Sequence, residues 1–113
     1  MTTYKMKFAI TPFEKIVSGN KIIESRLYDE KRRQISLGDQ IEFSSNDNPD
    51  RKITTSVCAL YLYPDFESLF SDFPPSYFGG DSREALFEEI ENFYSKDKQA
   101  KFGVIGIKIK LVK

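Results

Sequence analysis

Lys52–Tyr63 is the longest strand candidate in the chain, twelve residues dense in Thr, Val, Leu and Tyr, closed by Pro64. It must pair with partners distant in sequence, because strands also lie near both ends. Tyr4–Ile10 alternates, with Tyr4, Met6 and Phe8 on one face and Lys5 and Lys7 on the other. Phe102–Val112 closes the chain, with Ile107, Ile109 and Leu111 alternating with Lys108 and Lys110. Between them, Lys21–Leu27 and Gln40–Ser44 read as strands, and the Asn, Asp and Pro of residues 45–51 mark a turn.

Three helices are expected. One runs from Thr11 as N-cap, with Pro12 at its first position and Glu14 completing a capping box, to Ser18-Gly19-Asn20. Another spans Phe66–Phe73, capped by Asp65. The last runs from Asp81 as cap to about Tyr94, with Glu84 in a second capping box. Tyr28–Ile35 and Ser95–Lys101 read as polar connectors, and Ser76–Gly80 as a loop able to act as a lid. About five strands with a small core imply an α+β fold, a small mixed β-barrel of five or six strands with helices on its rim. Gly103 and Gly106 are expected to permit its bending.

A length of 113 residues fits one domain, 1–113, and 40% hydrophobic residues suffice for one core. Lys+Arg and Asp+Glu both number 17. That neutrality argues against broad attraction to long nucleic acid and favours a small ligand or a short single strand. A local basic patch is compatible with it. With no histidine and one cysteine, Cys58, neither a Ser-His-Asp or Cys-His system nor a His or thiolate metal site can be built. No metal and no cofactor are expected. The lone cysteine and the lack of a long apolar run place the chain in the cytoplasm and off the membrane. Cys58 itself reads as a buried small hydrophobe.

On the strand 21–27, Glu24 and Arg26 share a face, with Lys21 at its mouth. Arg26 can grip a phosphate or base edge, Glu24 can accept from an amine, and Lys21 can act as nucleophile or base. The plain alternative is a salt bridge that fixes the strand. Arg33, in the triplet Lys31-Arg32-Arg33, can touch phosphate or simply be solvated. Asp39, after Gly38, serves a ligand or caps a turn. Tyr77 stacks on a base or packs inward. The helix bearing Glu84, Glu88, Glu89 and Glu91 would repel phosphate.

The pattern Gly19-Asn20-Lys21-Ile22-Ile23-Glu24-Ser25-Arg26-Leu27, followed by Ile35-Ser36-Leu37-Gly38-Asp39-Gln40-Ile41-Glu42-Phe43 and the closing Phe102-Gly103-Val104-Ile105-Gly106-Ile107, resembles the signature of the ASCH superfamily. Its domain is similar to the PUA RNA-binding fold. The resemblance implies an RNA or nucleotide-like ligand in a cleft lined by Lys21, Glu24 and Arg26; separately, a monomer or weak homodimer is expected. A group within that family removes the acetyl group from N4-acetylcytidine with a Lys, a Thr three residues later and a downstream Glu. Lys21 matches the Lys. Glu24 stands where the Thr would be, and near Gly79-Gly80 there is only Asp81. An amidohydrolase on an acylated nucleoside is therefore the alternative, with Lys21 and Glu24 as its catalytic pair, and whether the chain is an enzyme stays open.

Overall fold

The computed structural model describes residues 2–8 and 10–112, without the side chains of Ile10 and Thr11. Five strands, β1 (Thr3–Phe8), β2 (Ile23–Leu27), β3 (Gln40–Ser45), β4 (Lys52–Tyr63) and β5 (Val104–Leu111), form one curled sheet in the order β1-β3-β4-β5-β2. β1 runs parallel to β3; every other pair is antiparallel. The sheet makes a half-barrel. Five helices are described around it: α1 (Ile10–Val17), α2 (Glu30–Arg33), α3 (Phe66–Ser71), α4 (Arg83–Glu91) and α5 (Lys96–Phe102). The expected mixed barrel with rim helices is thus present, as an open half.

Each face of the sheet has its own core, and β5 shows why. Its alternation sends Ile105, Ile107 and Ile109 to the concave side, where Phe13 and Ile16 of α1 meet Met6, Ile41 and Phe43. Val104 goes to the other side, with Ile23, Leu27, Phe66, Leu69, Phe70 and Phe78. Gly106 also faces that side. A Cβ there would lie 2.9 Å from Leu69 Cδ1 and 3.3 Å from Ile23 Cγ2, so this glycine admits α3 onto the sheet. Gly103 ends α5 at φ 72°, and the last strand consequently starts at Val104.

Several local expectations need correction. α1 starts at Ile10, which moves Glu14 away from the capping position; Glu14 pairs with Arg51 instead. Thr11 lies inside α1 rather than at its cap, and Ile10 is helical where the first strand is expected to end; Ala9 lies outside the described residues. Ser82, not Asp81, caps α4 by accepting from Ala85 N at 3.1 Å, and the helix ends at Glu91 rather than Tyr94. Both polar connectors contain a helix. Asp29 caps α2, and Ser95 caps α5, whose buried Gln99 accepts from Phe66 N at 3.1 Å. Cys58 is exposed, because Val57 takes the inward position and a bulge follows between Val57 and Ala59. Segment 75–78 is a 3₁₀ turn rather than a free loop.

Gly106→Val is expected to cost about 1–3 kcal/mol through overpacking against Leu69. Chemical denaturation would register this, and an unchanged midpoint would contradict the close approach of α3.

Candidate functional site

The site is built where α1 hands over to β2. Gly19, at φ 82°, turns the chain as its N–H donates to Ile16 O at 3.0 Å. Lys21 N then bonds back to Lys15 O at 3.0 Å, which fixes Lys21 beside the helix end. β2 pairs with β5 on one side, Glu24 opposite Ile107 and Arg26 opposite Ile105. Its other edge is closed in part by side chains. Glu24 Oε1 accepts from Ser25 N at 2.9 Å and from Lys21 Nζ at 3.1 Å, while Oε2 accepts from Arg26 Nε at 3.0 Å. Glu24 is 2% exposed.

Phe8, at the end of β1, lies under both cations. Its ring centroid is 5.0 Å from Lys21 Nζ and 5.2 Å from Arg26 Cζ, and the ring stacks on Phe43. Burial pushes the Glu24 carboxyl up, but Lys21 and Arg26 outweigh it and hold the group below the usual carboxylate range. Burial pulls Arg26 down; Glu24, and then Tyr94 beside it, outweigh that and raise it. The carboxylate and guanidinium therefore stay charged together.

This triad floors a cleft of about 460 Å³. Lys7, Phe8 and Asn46 form one wall; Phe78, Glu89, Phe93 and Tyr94 form the other. The volume is in the range that holds a small ligand. Phe93 stands at the rim with 68% of its surface exposed. A larger groove of about 750 Å³ runs beside α3 and α5 past Asp65, Phe87 and Gln99. Volume does not select it, because it lacks a buried set of paired charges. Among the described residues, no three His, Cys, Asp or Glu side chains are grouped to hold a metal, and no helix is long and apolar enough to cross a membrane.

Of the residues singled out in the sequence, Lys21, Glu24 and Arg26 come together and Arg33, Asp39 and Tyr77 stand apart. Arg33 lies over the Tyr28 ring at 4.4 Å. Asp39 accepts from Ser36 N at 2.9 Å and Thr2 N at 3.1 Å, and these bonds hold its carboxyl below the usual range. It sits by the start of β1, five residues from Phe8 and so roughly 17 Å from the cleft. Tyr77 accepts from Ile22 N at 2.9 Å through its carbonyl, and Lys15 Nζ donates to Gly79 O, so this segment is pinned to α1 and to the residue just before β2. The cleft wall therefore combines Phe78 of this segment with the end of α4, Phe93 and Tyr94, while Tyr77 is not among the lining residues. Sequence reasoning misses Phe8, Glu89, Phe93 and Tyr94 as lining residues. The one signal for Phe93 is its position past the last turn of a helix whose apolar stripe its spacing continues.

The ASCH domain model matches residues 6–113. The chain belongs to the ASCH family. Among solved structures, hypothetical protein PH0355 is 30% identical to this ASCH chain, with a TM-score of 0.86 over 98% of this chain and 100% of that one. Protein PF0455 from Pyrococcus furiosus is also 30% identical, with a TM-score of 0.76 and 99% of each chain covered. The ASCH domain from Lactobacillus crispatus JV V101, 16% identical, shares the fold at a TM-score of 0.72 over 97% of this chain and 79% of that one. No curated protein matches.

The sign of the Glu24 shift gives a pH dependence. Its folded-state value lies below the ordinary 4.5, so its contribution to stability is present above that pH and is lost as the pH falls through the folded value. Glu24→Gln should lower Tm at neutral pH, and the gap to wild type should shrink as the pH is taken down through the acid range below 4.5. A gap that stays constant over that range would contradict the ion-paired geometry.

Proposed function

We propose that this ASCH protein binds RNA or a nucleotide-like ligand in the cleft floored by Lys21, Glu24 and Arg26. The observation that carries the reading is one buried carboxylate holding two cations at the base of an aromatic-walled cleft. Such an arrangement is costly as mere scaffolding, since apolar residues of similar volume often serve stability as well or better. It gains a purpose if the cations face a ligand. Arg26 commits Nε to Glu24, which leaves the terminal nitrogens of its planar fork for Tyr94 and for a phosphate or base edge. Phe93 offers an exposed ring on which a base can stack, and Asn46 offers an amide to a base edge.

Phe93 is the cleanest test because its exposure decouples it from folding. Phe93→Ala and Arg26→Ala should each weaken binding of a short single-stranded RNA at least about tenfold, in line with about 1–3 kcal/mol per stacked base. Fluorescence anisotropy would measure this, and affinities equal to wild type in both variants would sink the assignment.

A second reading is favoured by the 3.1 Å approach of Lys21 Nζ to Glu24 Oε1, a proton-transfer pair inside the cleft. Under it, Glu24 takes a proton from water attacking the acyl carbon of a substrate such as N4-acetylcytidine and returns it to the leaving amine, while Lys21 polarises the carbonyl oxygen. Acetate and cytidine are the products. The lowered Glu24 value weakens that carboxylate as a base, which ranks binding first. Chromatography of N4-acetylcytidine incubated with wild type and with Lys21→Ala decides it: cytidine released only by the wild type supports hydrolysis, and equal background rejects it.

A further inference from the structure

The chain is neutral overall, yet one face of its sheet gathers lysines. The outward face of the sheet carries Lys5, Lys7, Lys52, Lys108 and Lys110, all exposed. The ladders establish that they share this face. Lys7 pairs with Ser44 and Ser44 with Lys52; Lys5 pairs with Glu42; Ser56 pairs with Lys110. Directly opposed residues point to the same side, as do residues two apart on one strand, which adds Lys108. The carboxylate that the same ladders bring to this face is Glu42, 3.9 Å from Lys52. Hydroxyls of Ser44, Thr54 and Ser56 lie between the lysines, and both groups donate to phosphate oxygens. Exposed acids lie outside this face, Glu84, Glu88, Glu89 and Glu91 on α4 and Asp47 and Asp50 in the turn before Lys52.

Lysines on an edge strand are ordinarily a guard against edge pairing. That explains Lys5 and Lys7 on β1. It does not explain Lys108, which is paired on both sides, with Ile23 of β2 and Ala59 of β4; Lys52 and Lys110 are each paired on one side. On β5 the same face runs from Gly106, which Leu69 of α3 covers, to Lys108 and Lys110, which stay open to solvent. Lys7 belongs to this face and also forms the lip of the cleft.

We infer that the outward face of β1, β3, β4 and β5 is a phosphate track for single-stranded RNA, entering or leaving the cleft over Lys7. The inference rests on the cleft reading for the end of the strand and adds the surface that carries its backbone. Lys7 and Lys52 are two strand spacings apart, about 10 Å, a separation that a flexible backbone can bridge. A cleft of about 460 Å³ admits a base or nucleoside and excludes a duplex, which commits the track to a single strand.

The test compares wild type with Lys5→Gln/Lys52→Gln/Lys108→Gln/Lys110→Gln, which leaves Lys7 and the cleft intact. Two probes are titrated over a range of salt: a single-stranded RNA of about 12 nucleotides and a nucleoside monophosphate. The quadruple variant should bind the RNA at least about tenfold more weakly at low salt, with a log–log salt slope shallower by roughly 0.7 for each phosphate that the variant no longer neutralises. Its affinity for the monophosphate should not move. Unchanged RNA affinity and slope would overturn the track. So would equal displacement of the RNA by poly-glutamate, which would assign the face to acidic proteins. If the monophosphate binds neither protein, the cleft reading fails, while the salt slope of the RNA still tests the track.

Discussion

The carboxylate of Glu24, held between Lys21 and Arg26, is the interaction on which the rest of the site depends. Burying a charge is costly unless its lone pairs are met. Here three donors meet them: the two cations and the N–H of Ser25 on the free edge of β2. The same cluster therefore does two things. It finishes an otherwise unpaired strand edge, and it holds two positive groups side by side over the ring of Phe8. Without the carboxylate, Lys21 and Arg26 would repel one another across the floor of the cleft.

The placement of that cluster follows from the way the sheet curls. β1 and β2 are its two ends, and the half-barrel stays open between them. α1 fills the concave core, and Gly19 then turns the chain so that Lys21 arrives beside the end of β1. On the opposite face, Gly106 lets α3 settle close enough to bring Phe70, Phe78 and α4 over β2. The cleft is the seam between these two packings. Both cores reach its walls, through Phe8 on one side and Phe70, Phe78 and Leu86 on the other, and Lys21, Glu24 and Arg26 supply its polar chemistry.

Much of this is legible in the residues. Alternation marks the five strands within a few positions, and the spacing of Glu24 and Arg26 by itself puts them on one face. Asp65 reads correctly as a cap because an apolar stripe begins right after it. α2 and α5 are invisible for the opposite reason: α2 buries no side chain and α5 chiefly Gln99, so neither carries a stripe of apolar residues. The cap of α4 is displaced by one residue because Asp81 and Ser82 are both good caps and only backbone direction separates them. The far wall of the cleft is legible only in part, through the segment that carries Phe78. Phe93 looks like the end of an apolar stripe, and only the termination of α4 at Glu91 turns it outward. Net charge hides the lysine face in the same way, since a sum over the chain erases where the charges sit.

The central claim is that the charged triad serves a ligand rather than the stability of β2, and one variant separates the two roles. Lys21→Met/Glu24→Leu/Arg26→Met removes all three charges together, so no ion is left buried and unpaired. The measurement is its thermal unfolding alongside titration with a nucleoside monophosphate. The expected result is a Tm at or above that of the wild type with binding abolished. A marked fall in Tm with binding retained would contradict the claim and leave the triad as a structural tie.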